Sequence, residues 1–261
     1  MVFSHLLEAP PHCSISMKYL IIADPSGGHS LQLMSKGIDP KDIVVWEDTP
    51  KGQYCAKIRE VRVVDDLEEL KGMKFDVIIG NPPYGSGGNL AIKFLNKCSE
   101  LSDDVRLVLP LSVRKVSSLN KISKNIECVF DEQLPDDTFP GSIKAVYQRW
   151  VPTDTPRENI ELPRTHPDFE FLTTSQKKDP TQRKRANLFI GEAGGGPSGR
   201  VKTENFMHYW HGHHFLYVES DEVKQRLIDL APKFREKAMN CNGRPHLSKP
   251  EIIEIYTNHY S

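Results

Sequence analysis

The chain has 261 residues, a formal net charge of −1, 26% charged residues and 38% hydrophobic ones. That balance excludes a disordered polyelectrolyte and suits a folded protein with one large α/β domain and an appended module. No apolar run approaches the roughly 20 residues of a membrane helix, so no membrane partner is expected.

In chain order, residues 1–16 form an N-terminal arm without the basic start or apolar length of a secretion signal. Residues 19–23 are an apolar run ending at Asp24. Pro25-Ser-Gly-Gly-His-Ser30 then leads into a helical segment over 31–36. Strand, glycine turn and helix in that order begin a nucleotide-binding sheet. Further strands are predicted over 43–46, ending at Glu47, over 61–64, ending at Asp65-Asp66, and over 75–79. The last is cut off by Asn81-Pro82-Pro83-Tyr84, because two prolines cannot donate the bonds that would extend it.

Helical spacing follows over 90–101, then strands over 105–109, 127–130 and 143–151. Residues 17–153 therefore read as one catalytic domain, and the proline- and threonine-rich stretch 154–167 as a linker. Residues 168–261 form a small α+β module. Its segment 173–202 is polar and turn-rich, with Lys177, Lys178, Arg183, Lys184, Arg185, Arg200 and Lys202 against only Asp179 and Glu192. A strand over 214–218, a helix capped by Ser220 with Val223, Leu227, Leu230 and Phe234 on one face, and a terminal helix over 248–256 complete it. Five scattered cysteines without a Cys-x-x-Cys pair read as reduced thiols of a cytoplasmic protein.

The turn at 81–84 carries the chemistry. It sits at the carboxyl end of a strand, where open α/β sheets gather ligands. The Asn81 side-chain oxygen and the Pro82 carbonyl can each accept a hydrogen of an exocyclic amine while Tyr84 stacks on its ring. The amino nitrogen then keeps an available lone pair.

Asn81-Pro82-Pro83-Tyr84 resembles the signature of the S-adenosylmethionine-dependent amino-methyltransferases, most closely the adenine-N6 DNA methyltransferases of restriction-modification type. Related signatures occur in enzymes acting on protein glutamine or on RNA. The resemblance implies a class I Rossmann-like methyltransferase sheet, with Asn81, Pro82, Pro83 and Tyr84 catalytic. It also implies S-adenosyl-L-methionine held by Asp24, Pro25, Gly28, Glu47 and Asp65, with Glu47 accepting from the ribose hydroxyls. Asp65 would accept from the cofactor's adenine, with Asp66 a close competitor. Ser30 replaces the last glycine of the family's first turn, where a side chain costs room.

A base inside a duplex must be rotated out to be reached; the resemblance gives Tyr84 one face of it and Phe139 the other. The resemblance also implies that residues 168–261 are a DNA-recognition module, with Lys177, Lys178, Arg183, Lys184 and Arg185 the cations expected on DNA phosphates. A partner nuclease is possible but nothing indicates one, so modification without cleavage is expected. The cluster His208-Tyr-Trp-His211-Gly-His213-His214 lacks metal-ligand spacing, and no metal is assigned. An inactive nucleic-acid-binding relative is the alternative from another class.

Overall fold

A computed structural model describes residues 17–140, 143–193, 198–203, 211–240 and 245–260. The arm 1–16 and His208 lie outside them. The chain divides into two compact units, Met1–Ile160 and Glu161–Ser261.

Unit 1 is a seven-stranded α/β sheet. Its strands are β1 (Tyr19–Ile22), β2 (Ile43–Trp46), β3 (Arg62–Val64), β4 (Val77–Gly80), β5 (Val105–Pro110), β6 (Ile126–Gln133) and β7 (Ala145–Pro152), in the spatial order β3-β2-β1-β4-β5-β7-β6. The first five are parallel, and β7 runs antiparallel to both neighbours. This is the Rossmann-like, doubly wound arrangement, and its strand order reverses between β1 and β4.

The continuous apolar runs follow from burial on both faces. In β1, Leu20 and Ile22 join the cluster that includes Ala91, Ile92 and Leu95 of α3 (Asn89–Leu101). Tyr19 and Ile21 join the opposite cluster, with Leu33 of α1 (Gly28–Ser35) and Ala56 of α2 (Pro50–Ile58).

Helix α1 begins earlier than the apolar pattern suggests. Gly27 takes a left-handed conformation (φ 68°) at its N-cap, and the Asp24 carboxylate receives the amides of His29 and Ser30. Helix α2 escaped the sequence reading; Pro50 in its first turn and the Thr49 side chain accepting from the Gly52 amide start it. A short helix, α4 (Val116–Leu119), lies between β5 and β6, and the stretch after β7 is tied down by Arg157, whose guanidinium donates to the carbonyls of Ile126 and Ser123.

Unit 2 is α+β. Strands β8 (Glu170–Phe171), β9 (Leu188–Gly191), β10 (Val201–Lys202) and β11 (His213–Tyr217) form an antiparallel sheet in the order β10-β9-β11-β8. Two short helices, α5 (Thr174–Lys178) and α6 (Pro180–Arg183), precede β9. Strand β9 is buried throughout, although the sequence around it reads as polar and turn-rich. The single helix expected after Ser220 is two, α7 (Asp221–Asp229) and α8 (Ala231–Met239), because Pro232 opens the second. These and α9 (Lys249–Tyr260) bury Val223, Leu227, Phe234, Ile252 and Tyr256 around Phe169, Leu188 and Leu216.

Candidate active site at the carboxyl edge of the sheet

Parallel pairing aligns the strand ends: Ile22 of β1 lies opposite both Trp46 of β2 and Gly80 of β4. With strands about 4.8 Å apart, Asp24, Glu47 and Asn81 leave the sheet side by side at its switch point. Two backbone features fix the exit. Ala23 adopts φ 61°, a conformation that costs a non-glycine residue of order 1 kcal/mol or more. Gly80 has φ 153°, and a Cβ there would run into the Ile22 carbonyl, so β1 and β4 approach closely only around a glycine. The Asn81 amide then donates to Ile22 O (3.0 Å) and locks the turn to β1.

Buried side-chain polar atoms are normally paired. In unit 1 the described ones without a partner are Glu47 Oε2, Asn81 Oδ1, Tyr84 Oη, Ser112 Oγ and Thr138 Oγ1. All five residues follow strand ends on this one edge: β2, β4, β5 and the connection between β6 and β7. Motif reading finds Glu47, Asn81 and Tyr84. Ser112 and Thr138 carry no motif, and only their position just beyond strands could have pointed to them.

Glu47 is 1% exposed. Its Oε1 accepts from the Thr49 amide and hydroxyl (2.9 and 2.7 Å), which aims Oε2 away with nothing to bind. Gly52 of α2 leaves the space this carboxylate fills, since a Cβ there would overlap it. A buried carboxylate oxygen lacking a donor fits a hydroxyl-bearing ligand. At β3 the Asp66 carboxylate caps the following turn by accepting from the Glu68 amide. Asp65 is left with an exposed carboxylate, while its carbonyl accepts from Trp46 Nε1 (2.9 Å).

Asp24 plays a different part from the one the resemblance implies. It is 2% exposed, and its oxygens receive the His29 amide, the Ser30 amide and the Ser30 hydroxyl (3.1, 2.9 and 2.7 Å). Burial pushes its pKa up, but the bonds from His29 and Ser30 outweigh it and hold the carboxyl down at about 2. Asp24 therefore shapes the turn rather than facing a ligand. Ser30 does not take room from the loop either, because its hydroxyl points inward to Asp24 and Gly27 O. Pro25 is exposed and Gly28 half-buried on the same turn.

Asn81, Pro83 and Tyr84 are half-buried and Pro82 is buried. No donor among the described residues reaches the Pro82 carbonyl. Burial pushes the Tyr84 hydroxyl well up from its ordinary pKa, so it stays protonated. Tyr84 and Phe139 pack against the same apolar cluster, which includes Val108 and Tyr147.

The basic segment needs correction. Lys177 and Arg183 are both 8% exposed. Lys177 Nζ donates to His213 O (2.9 Å) and pairs with Glu192 (3.7 Å), and Arg183 donates to the Lys177 and Lys178 carbonyls. Both hold unit 2 together and cannot lie on phosphates. Lys178, Lys184 and Arg185 are exposed, Arg185 pairing with Glu170 (3.3 Å). His213 and His214 sit inside β11. Among the described residues no group of three or more His, Cys, Asp or Glu side chains is placed to hold a metal, and no helix is long and apolar enough to cross a membrane.

No protein-family model matches the chain, and no curated protein matches it in sequence. Among solved structures it is similar to TrmN from Thermus thermophilus, with 16% identity over 53% of this chain and 44% of that one (TM-score 0.43). It is also similar to protein 1320 of Thermoplasma acidophilum, with 18% identity over 53% and 77% (TM-score 0.42). A third is the ribosomal protein L11 methylase of Lactobacillus delbrueckii subsp. bulgaricus, with 8% identity over 53% and 71% (TM-score 0.38). The chain thus spans less than half of TrmN. Likenesses this distant leave the chain's own side chains to say what it does.

Proposed function

We propose that this chain is an S-adenosylmethionine-dependent methyltransferase acting on an exocyclic amino nitrogen, with adenine N6 in DNA as its substrate. The observation that carries the reading is Asn81 Oδ1, a buried acceptor without a donor at the switch point of the sheet. Together with the Pro82 carbonyl it offers two acceptors to one amino group, which holds the nitrogen with its lone pair directed outward. Tyr84 and Phe139 supply the apolar faces for a flat ring. Glu47 Oε2 suits a ribose hydroxyl, Asp65 an amino group, and Asp24 builds the loop beside them as a positioning residue.

The cofactor supplies the methyl group in electrophilic form. The protein's own contribution is orientation: the two oxygens would bind both amino hydrogens, the proton that the methyl group replaces would leave to solvent, and no covalent enzyme intermediate is required. Exposed Lys178, Lys184 and Arg185 in unit 2 support a polyanionic substrate.

The test is a calorimetric check of S-adenosylmethionine binding, then incubation with methyl-labelled S-adenosylmethionine and, in parallel, unmethylated DNA, RNA and protein, followed by digestion and mass spectrometry. Labelled N6-methyladenine that disappears in Asn81→Ala supports the reading. Label found in RNA or on protein glutamine instead would keep the chemistry and replace the substrate. Failure to bind the cofactor would leave the inactive nucleic-acid-binding relative.

A further inference from the structure

The histidine cluster that the proposed chemistry does not use leads to a second site. Unit 2 contains a cavity of about 430 Å³ whose wall includes Arg164, Glu192, His214 and Lys249, within the ~300–1,000 Å³ usual for small-molecule sites. His214 is 2% exposed, and its Nε2 lies 2.7 Å from the Leu247 carbonyl. A carbonyl only accepts, so Nε2 carries the proton and Nδ1 presents a lone pair. Nδ1 has no partner. The Glu192 carboxylate stands 4.0 Å away and is itself an acceptor, so the two cannot satisfy each other while the imidazole is neutral. Burial favours that neutral form.

Two acceptors side by side call for a ligand with hydrogen-bond donors. Which donor is decided by the cations. Lys177 Nζ lies 3.7 Å from the same Glu192 oxygen, and Lys249 shares the cavity wall. An ammonium group or metal ion set against His214 and Glu192 would meet both lysines, whereas a neutral N–H would not. The cations around Glu192 outnumber it, so the rest of the ligand is anionic.

We propose that this cavity binds a nucleotide bearing an exocyclic amino group, whose N–H donors meet His214 Nδ1 and Glu192 while its phosphate meets Arg164 and Lys249. The site stands whether or not unit 1 transfers methyl groups.

Titrating the full chain with dCMP, dTMP and inorganic phosphate tests it by calorimetry. Cytosine presents an amino group at position 4 where thymine has a carbonyl, an N3–H and a 5-methyl group, so dCMP, whose two amino hydrogens meet both acceptors, binds roughly tenfold or more tighter than dTMP, whose ring offers a single N–H. Phosphate alone binds more weakly still. Glu192→Gln, which can donate to the carbonyl, closes most of the gap between dCMP and dTMP. Arg164→Ala, at an exposed position, weakens both nucleotides alike. Glu47→Ala, at the edge of the unit 1 sheet, changes neither. Equal binding of dCMP and dTMP, loss of binding in Glu47→Ala, or no nucleotide binding at all would overturn the proposal. Glycine, titrated in the same way, carries an ammonium in place of the neutral amino group, and its binding more tightly than dCMP would overturn the chemistry of the proposal.

Discussion

The turn at 81–84 and the basic run at 177–185 both stand out in the sequence, and folding treats them in opposite ways. In the turn, Asn81 Oδ1 and Tyr84 Oη are buried and left without partners. In the run, the two most buried cations, Lys177 and Arg183, are held by carbonyls. An unpaired buried acceptor costs free energy that a folded chain has little reason to retain unless something else completes it. A buried cation with its donors committed is simply part of the fold. Residue type alone does not separate the two cases; the partner does.

Asn81→Ala sharpens this contrast most. Removing an acceptor that binds nothing in the folded protein leaves urea unfolding within about 0.5 kcal/mol of the parent. Single-turnover methyl transfer falls roughly 10²–10³-fold, the scale of deleting one preorganised hydrogen-bonding group. A large loss of stability with activity intact would reverse the assignment. Lys177→Met is expected to do the converse. It destabilises unit 2 by about 1–3 kcal/mol, because His213 O and Glu192 lose a donor. It leaves the salt dependence of DNA binding unchanged. Lys184→Ala should leave stability alone and reduce the salt slope by about one phosphate contact.

These differences explain how far the sequence could be read. The centre of the sheet was legible because β1, β2 and β4 are buried on both faces, so each appears as an unbroken apolar run with a turn after it. Glu47 and Asn81 were legible because they stand where such runs stop. Strand β9 was missed because four buried residues, Leu188 to Gly191, follow a run of cations that dominates the local composition. Lys177 and Arg183 were misjudged for a related reason: their burial depends on His213, Glu192 and neighbouring carbonyls, and contact across 36 residues leaves no local trace. Ser112 and Thr138 were invisible, since a lone hydroxyl after a strand has no pattern at all.

Asp24 extends the comparison to a paired group inside the active edge. Its pKa is depressed from 3.8 to about 2. The stability it contributes is complete above the unfolded value of 3.8 and is lost as pH falls towards 2. Across that interval the contribution is about 2 kcal/mol. Acid titration of unfolding between those pH values should show a drop in the parent that is shallower in Asp24→Asn. Equal slopes would mean that His29 and Ser30 do not hold the carboxylate charged.

The smallest effect is expected at Ser30, where the methyltransferase pattern has glycine. If the hydroxyl obstructed the cofactor, Ser30→Gly would tighten binding of S-adenosylmethionine. The hydroxyl instead lies 2.7 Å from Asp24 Oδ2 and 3.1 Å from Gly27 O. Its removal therefore costs about 1 kcal/mol of stability, one hydrogen bond to a charged acceptor offset by what water recovers. Cofactor affinity should stay within about twofold of the parent, well under 1 kcal/mol. A tenfold gain would place the Ser30 side chain in the ligand's path and return Asp24 from a builder of the turn to a contact residue. An unchanged affinity with lowered stability would show that this chain closes its first turn with a serine–aspartate bond in place of a third glycine.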